Sequence, residues 1–562
     1  MKRFLLALTL FACAAPAPQT EEGLRTEPAP APAPARPNIV LVLFEDMSAR
    51  VGAYGDPLAR TPAFDRIAAE GVRYTNVYTA SGVCAPSRAS LMTGRYANTI
   101  GAQHMRTMGY LGAPGGGPQD YLAVPPPEVR AFPELLRAAG YHTSNDWKTD
   151  YQFGEPFTIW DESEEGADWT GREEGQPFFA MITLLTTHES FVWPTDLESD
   201  APLVRAVVAR NREAFADKAA ITDPAAVEVP PYLPDVPAVR RDIATHYDNI
   251  AFTDAALGAL YERLEAEGLL DETILIVSTD HGDGLPRMKR SLYDAGLHVP
   301  FVVRYPDGQG AGTVTDDLVS FVDLAPTILS FAGAEAPGWM HGADFAGEDR
   351  DPPRRFVFAT QDRLDTVPAW RRAVRDERYK LIRNYRPGDA YFHPLPFRDV
   401  QPSMQALWAG RAAGTLPEAA ARLFEPLPEI QLYDTQEDPH EVRNLAGDPG
   451  HADTQARLLA ALEDWRGRVG DQSAMPEAEM IEAFWPGGEQ PVTTEPVIET
   501  DAAGRTVLTS ATQGASLGYR ADGGPWTLYI GPFEAPPGAA LEAKAVRYGY
   551  AESLVATARA PD

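Results

Sequence analysis

Residues 83–95 read VCAPSRASLMTGR and set a cysteine, a proline, a serine and an arginine within five positions, Cys84 to Arg88. Pro86 and Ser87 suit a helix start, so SRASLMTG is expected to be helical. The first amides of such a helix, and its dipole, stabilise an anion nearby. Arg88 offers a planar fork for a tetrahedral oxyanion. The chemistry on offer is anion recognition beside a sulfur that is nucleophilic as a thiolate. An inert buried cysteine is the plainer alternative, and no Cys–His partnership is legible in the spacing.

These residues need a scaffold. NIVLVLF, residues 38–44, reads as a buried strand and ends in Glu45-Asp46. TPAFDRIAAEG follows as a helix, with Thr61 as N-cap, Pro62 at the first helical position and Gly71 as its stop. EVRAFPELLRAAG (helix), YHTSN and PFFAMITLL (strands), a long helix from about Val239 to Glu267, TILIVSTD and VPFVVRYP (strands) and VDLAPTILSFAG (helix) continue the alternation. Such alternation predicts an α/β sheet sandwiched by helices. Ligands in such sheets bind beyond the carboxyl ends of the strands, where Glu45-Asp46 and Asp280-His281 fall. From about residue 355 the texture turns to antiparallel strands (RRFVFAT, RAVRDERYKLIRNY) and one closing helix, HADTQARLLAALEDWRGRV. Residues 490–562 alternate short apolar strands with Gly/Pro turns, as a small β-sandwich does.

The formal charge of −31 over 562 residues argues against nucleic acid, which requires a basic stripe. Residues 1–13, MKRFLLALTLFAC, carry two basic residues and an apolar run too short to span a bilayer, as a secretory signal does. LFAC resembles a bacterial lipoprotein box with Cys13 as the lipidated residue. Its expected location is therefore outside the cytoplasm, in the periplasm or at the cell surface of a bacterium, with any membrane anchoring through lipid alone. Residues 14–36, rich in Pro and Ala, read as an extended tether. With Cys13 removed or lipidated, Cys84 has no disulfide partner.

C-x-P-S-R followed by A-S-L-M-T-G-R resembles the signature of the type I sulfatases of the alkaline phosphatase superfamily. The resemblance spans about residues 37–480 and divides into a catalytic α/β part, 37–350, and a C-terminal subdomain, 351–480. It implies that a formylglycine-generating maturation enzyme oxidises Cys84 to formylglycine, whose hydrate is the nucleophile. It further implies a metal held by Glu45, Asp46, residue 84, Asp280 and His281. Mostly oxygen ligands favour Ca²⁺ over Mg²⁺ or Mn²⁺, and the imidazole leaves room for Mn²⁺. Glu45 stands where the family usually has aspartate.

Lys148 matches the family's lysine that bridges aldehyde and sulfate. Asp150 stands at the family's histidine and Trp147 at its glycine, so Asp150 is expected either as a base that helps eliminate sulfate or as an ion-pair partner of Lys148 or Arg88. His188 matches the leaving-group histidine and Lys289 the sulfate-contacting cation. Arg290 is expected to be a salt-bridging surface residue and His298 a structural one. His104 and Arg106 are candidate substrate contacts.

SLYDAGLHVPFVVRYP, RAVRDERYKLIRNYRP and IQLYDTQEDPHEVRNLAGDP resemble the heparan N-sulfatases and their bacterial relatives, which implies a sulfated carbohydrate carrying O- or N-sulfate. The tail resembles the chitobiase-type β-sandwich, a spacer or a carbohydrate binder. Two other readings remain open: a phosphonate or phosphodiester hydrolase on the same scaffold, and a non-catalytic lipoprotein that binds sulfated glycan.

Overall fold

The structure is a computed structural model that describes residues 36–107, 120–347 and 350–561. The leader with Cys13 and nearly all of the tether lie outside the described residues.

Strand β1 (Asn38–Phe44) is buried along its whole length because both of its faces are covered. Ile39, Leu41 and Leu43 pack in one core with Ala89, Met92 and Leu136; Val40, Val42 and Phe44 pack in another with Phe64, Ile250 and Leu257. The first core is closed by helices α2 (Cys84–Thr93) and α3 (Phe132–Ala138), the second by α1 (Pro62–Glu70) and α5 (Pro237–Ala266); α4 (Pro202–Ala214) lies between them in sequence. A strand apolar at every position after Asn38 is what two covered faces require.

The remaining strands of the sheet are β2 (Val72–Tyr78), β3 (His142–Asp146), β4 (Glu162–Ser163), β5 (Phe178–Leu184), β6 (Thr273–Thr279), β7 (His298–Arg304) and β8 (Thr313–Ser320). Their order is β4-β3-β5-β1-β6-β7-β2-β8, and only β7 runs against its neighbours. This is the helix-sandwiched α/β sheet that the alternation implies. The sequence reading did not mark β2 or β8. TVTDDLVS is polar in its first half because β8 is an edge strand, exposed over those residues.

Two local expectations are corrected. Helix α2 starts at Cys84 itself, two residues before Pro86-Ser87, so the cysteine belongs to the first turn instead of preceding it. Thr61 does not cap α1; its hydroxyl accepts from Gly52 N at 2.9 Å. The amides of Ala63 and Phe64 are capped by the Asp254 carboxylate, from α5, at 2.9 and 2.8 Å. A cap supplied from the facing helix is invisible to local pattern.

The second half carries a four-stranded antiparallel sheet, in the order β12 (Ile430–Asp434), β11 (Tyr379–Asn384), β10 (Arg371–Arg375), β9 (Val357–Gln361), with the helix Ala452–Val469. The tail forms a pair, β13 (Val497–Thr500) and β14 (Thr506–Thr509), and a four-stranded sheet of β15 (Ser516–Ala521), β16 (Thr527–Leu528), β17 (Ala540–Val546) and β18 (Ala556–Arg559). This module is docked, not hung on a linker. Tyr548 is fully buried, stacks on Phe153 with ring centres 5.2 Å apart, and donates its hydroxyl to Glu134 on α3 at 2.8 Å. Ser516 and Thr158 donate to the same carboxylate, each at 2.5 Å. Among the described residues no helix is long and apolar enough to cross a membrane.

Candidate active site

The parallel register of β1 with β6 pairs Phe44 with Thr279, so the next residues, Glu45-Asp46 and Asp280-His281, leave the sheet side by side. Strand β5 ends level with β1, and His188 follows one turn later. Strand β3 ends at Asp146, which brings Lys148 to the same edge. Four adjacent strand ends therefore converge, as open α/β sheets arrange their ligand sites. Backbone bonds lock the convergence: Asp46 N donates to Asp280 Oδ1 at 3.0 Å and Glu45 N to Thr187 Oγ1 at 3.1 Å. Ser87 Oγ donates to the Asp280 carbonyl at 2.6 Å and pins α2 over the end of β6.

Cys84 lies at the centre, fully buried, its Sγ 3.2 Å from His281 Nε2 and 3.8 Å from Asp46 Oδ1. His281 Nδ1 faces the Gly282 carbonyl at 2.9 Å, which aims Nε2 at the sulfur and at Asp46 Oδ1, 3.1 Å away. Ligand atoms of Asp46, Cys84, Asp280 and His281 all lie within 4.8 Å of one another, as do those of Glu45, Asp46, Cys84 and His188. Asp280 Oδ2 is buried without a hydrogen-bond partner. A buried, unsatisfied carboxylate oxygen is costly unless a cation takes it up. Burial alone would lower the His281 pKa, yet Asp280, Cys84 and Asp46 raise it well above the usual value. Orphan oxygen and raised imidazole express the same demand for positive charge. The donors fit a divalent ion: oxygens for a hard cation, one nitrogen for a softer one.

Three cations face these acids. Arg88, 1% exposed, pairs with Glu45 and sets its Nε 3.7 Å from Asp280 Oδ2. Lys148 also pairs with Glu45, and its side chain is 15% exposed, so solvent reaches the cluster on this side. Lys289 Nζ donates to both Asp46 oxygens at 2.6 and 2.9 Å. Burial opposes the charge of Asp46, but Lys289, His188 and His281 outweigh it and hold this carboxyl well below its usual range.

His188 Nε2 lies 3.3 Å from Lys289 Nζ. Burial first, then Lys289, depress its pKa to about 3. His188 is therefore neutral at ordinary pH, its Nδ1 accepts from Ser190 N at 3.3 Å, and Lys289 stays charged because Asp46, Cys84 and Glu189 outweigh its burial.

Asp150 is paired with Arg106 at 2.9 Å and not with Lys148 or Arg88. Burial would raise its pKa, but Arg106 and then Lys148 lower it to about 2. A carboxylate that acidic is a poor proton acceptor. Asp150→Asn is expected to lower kcat less than about tenfold; a kcat loss beyond that, with KM held, restores the base role.

Arg106 thus stands at the rim. His104 is buried, burial lowers its pKa to about 4, and its Nδ1 accepts from Arg363 N at 3.2 Å, which ties it to the scaffold. His298 is structural as expected, facing the Thr75 carbonyl at 2.7 Å.

Arg290 is corrected: it is 6% exposed and forks onto Glu189 at 2.7 and 2.8 Å. Glu189 escaped sequence reasoning altogether. Its carboxylate lies 3.1 Å from Lys289 Nζ, and its backbone N donates to Asp46 Oδ2 at 2.7 Å. The only local signal was its position beside His188.

The sulfatase family model matches residues 37–170 and 161–334, and a model described as N-sulphoglucosamine sulphohydrolase, C-terminal, matches residues 287–393. An ulvan-active sulfatase of Formosa agariphila is 40% identical over 92% of this chain and 90% of its own. Human N-sulphoglucosamine sulphohydrolase is 26% identical over 77% of this chain and 90% of its own. A solved structure, described as BT4656 in complex with its substrate D-glucosamine-2-N,6-O-disulfate, superposes with a TM-score of 0.54 at 19% identity, over 78% of this chain and 98% of its own, a likeness of fold. Strand ends that gather acids and cations around the cysteine of C-x-P-S-R, in a chain matched along its catalytic half by that family model, make this enzyme a member of the sulfatase family.

Proposed function

We propose that the enzyme removes sulfate from a sulfated polysaccharide through a formylglycine formed from Cys84 by a maturation enzyme. The observation that carries this is the buried Cys84 at the start of α2, with Asp280 Oδ2 unsatisfied beside it and Arg88, Lys148 and Lys289 around it. In its hydrated form residue 84 offers one hydroxyl to attack sulfur and a second whose deprotonation expels sulfate and restores the aldehyde.

Glu45, Asp46, Asp280 and His281 are the residues that would hold a divalent cation, with Ca²⁺ first and Mg²⁺ or Mn²⁺ after it. Such an ion supplies a lowered hydroxyl pKa and positive charge toward the sulfate oxygens. Arg88 and Lys148 orient the sulfate by charge-assisted hydrogen bonds. Lys289 holds Asp46, and His188, 3.3 Å from its Nζ, hydrogen-bonds the departing oxygen or nitrogen. Treatment with EDTA, followed by dialysis, is expected to abolish turnover, and Ca²⁺ to restore it more fully than Mg²⁺. Full activity after removal of all divalent metal contradicts this assignment.

The 40% identity to an ulvan-active sulfatase supports ulvan or a similar sulfated glycan over the N-sulphoglucosamine that the name of the 26% relative suggests. The field of the acidic chain is screened beyond about 8 Å at physiological salt, so the cations of the cleft decide whether a polyanion enters. Export, with lipid on Cys13, belongs to the same reading. The deciding experiment is the mass of the Cys84 peptide from active protein, read for an aldehyde in place of the thiol, together with sulfate release from O- and N-sulfated sugars and matched phosphate esters. An unmodified thiol in fully active protein defeats the formylglycine mechanism.

A further inference from the structure

Two residues behind His188 take no part in the chemistry described so far. Ser190 sits in the single turn Glu189–Val192 and is 1% exposed. Its backbone N donates to His188 Nδ1 at 3.3 Å, and its Oγ lies 2.8 Å from the same nitrogen. Arg210, on α4, donates from Nη2 to Ser190 Oγ at 2.9 Å. The next residue, Asn211, is buried and donates from Nδ2 to the Ser190 carbonyl at 2.7 Å, which fixes the serine backbone. Arg210 is exposed and lies over Phe191, 3.8 Å from guanidinium carbon to ring centre.

These donors decide where the imidazole carries its hydrogen. A backbone N–H can only donate, so the Nδ1 that faces it is an acceptor. Arg210 occupies a lone pair of Ser190 Oγ, which leaves the hydroxyl hydrogen for Nδ1 as a second donor. A neutral imidazole that accepts at Nδ1 bears its hydrogen at Nε2. Nε2 is the nitrogen on the side of Lys289. That ammonium faces both Asp46 oxygens and Glu189, so acids take up its hydrogens and the imidazole is not required as their acceptor. Hydrogen bonds in a chain polarise one another. A guanidinium at the far end draws electron density toward Nδ1 and makes Nε2–H a stronger donor.

We infer that Ser190 and Arg210 are positioning residues for the leaving group: the chain Arg210 Nη2–H, Ser190 Oγ–H, His188 Nδ1 holds His188 as its Nε2–H tautomer, and that hydrogen is donated to the atom that parts from sulfur. Both act through His188. The hydrogen bond stabilises negative charge as it develops on the departing atom, with the proton staying on the ring. The assignment rests on the sulfatase reading above, with His188 at the leaving group, and its test is separable from that reading.

Native enzyme, Ser190→Ala, Ser190→Thr and Arg210→Ala are compared on a sulfated sugar, whose alkoxide leaves with difficulty, and on 4-nitrophenyl sulfate, whose phenolate leaves unaided. Ser190→Ala is expected to lower kcat on the sugar about 10- to 100-fold, with a smaller change in KM and little loss on the aryl ester. Ser190→Thr keeps the hydroxyl and is expected to restore most of the loss. Arg210→Ala, at an exposed position that puts folding least at risk, is expected to lose about three- to tenfold on the sugar alone. The tautomer is read directly from the ¹⁵N shifts of [¹⁵N]histidine-labelled enzyme, the His188 signals being those that vanish in His188→Gln. Native enzyme is expected to show a bare Nδ1 and a protonated Nε2, and Ser190→Ala a mixture. A protonated Nδ1 in native enzyme, or variants that lower both substrates equally or neither, overturns the assignment. Failure of the function reading looks different: native enzyme releases no sulfate from either substrate, while the His188 shifts still report Nε2–H and still change in Ser190→Ala.

Discussion

Cys84→Ala is expected to lower kcat/KM for any sulfate ester by about 10⁴-fold or more, the scale of losing a covalent nucleophile. Serine is expected to do no better, because its single hydroxyl lacks the second oxygen that releases sulfate. Both substitutions are small at a site enclosed by Val83, Ala85, Met105 and Leu364, so unfolding midpoints are expected to stay close to the native value. The measurement is sulfate release from the same sugar by native and variant enzyme, with circular dichroism as the folding control. A serine variant within tenfold of native turnover excludes an aldehyde-based mechanism.

Arg88→Ala carries the second large effect, and it acts twice. Glu45 and Asp280 are fully buried, and Arg88 faces both. Its removal leaves Glu45 to Lys148, and Asp280 to Lys148 and His281, with one buried cation too few, a change that typically costs about 3–5 kcal/mol. It also removes a preorganised donor to the sulfate, expected to lower kcat/KM about 100- to 1,000-fold. Arg88→Lys separates the two. A lysine restores one charge and most of the stability, but a single ammonium cannot reproduce the planar fork. Activity is therefore expected to remain at least about tenfold down in Arg88→Lys. Full recovery of both unfolding free energy and kcat/KM in the lysine variant shows that charge alone matters at this position.

What sequence revealed, it revealed locally. Apolar runs that stop at acidic pairs, as NIVLVLF stops at Glu45-Asp46, announce both strand and ligand edge in one stretch, and parallel pairing does the rest. The cysteine, its proline and its arginine share a single helix turn and are legible for the same reason. Glu189 was not legible, because its role comes from Lys289 and Arg290, about a hundred residues downstream. Asp150 was misleading: position suggested a base, and only the fold shows Arg106 holding it. The Asp254 cap on α1 belongs to the same class. A tertiary partner, or the lack of one, leaves no periodicity in the chain.

The burial of Tyr548 against α3 has a consequence for how the protein comes into being. A core whose first strands are made at residue 38 waits for an aromatic ring synthesised several hundred residues later. Until that ring leaves the ribosome, Glu134 keeps only part of its hydroxyl shell and the groove beside Phe153 stays open to water. A nascent chain stalled ahead of the last strands would expose an unfinished interior, however complete its catalytic residues.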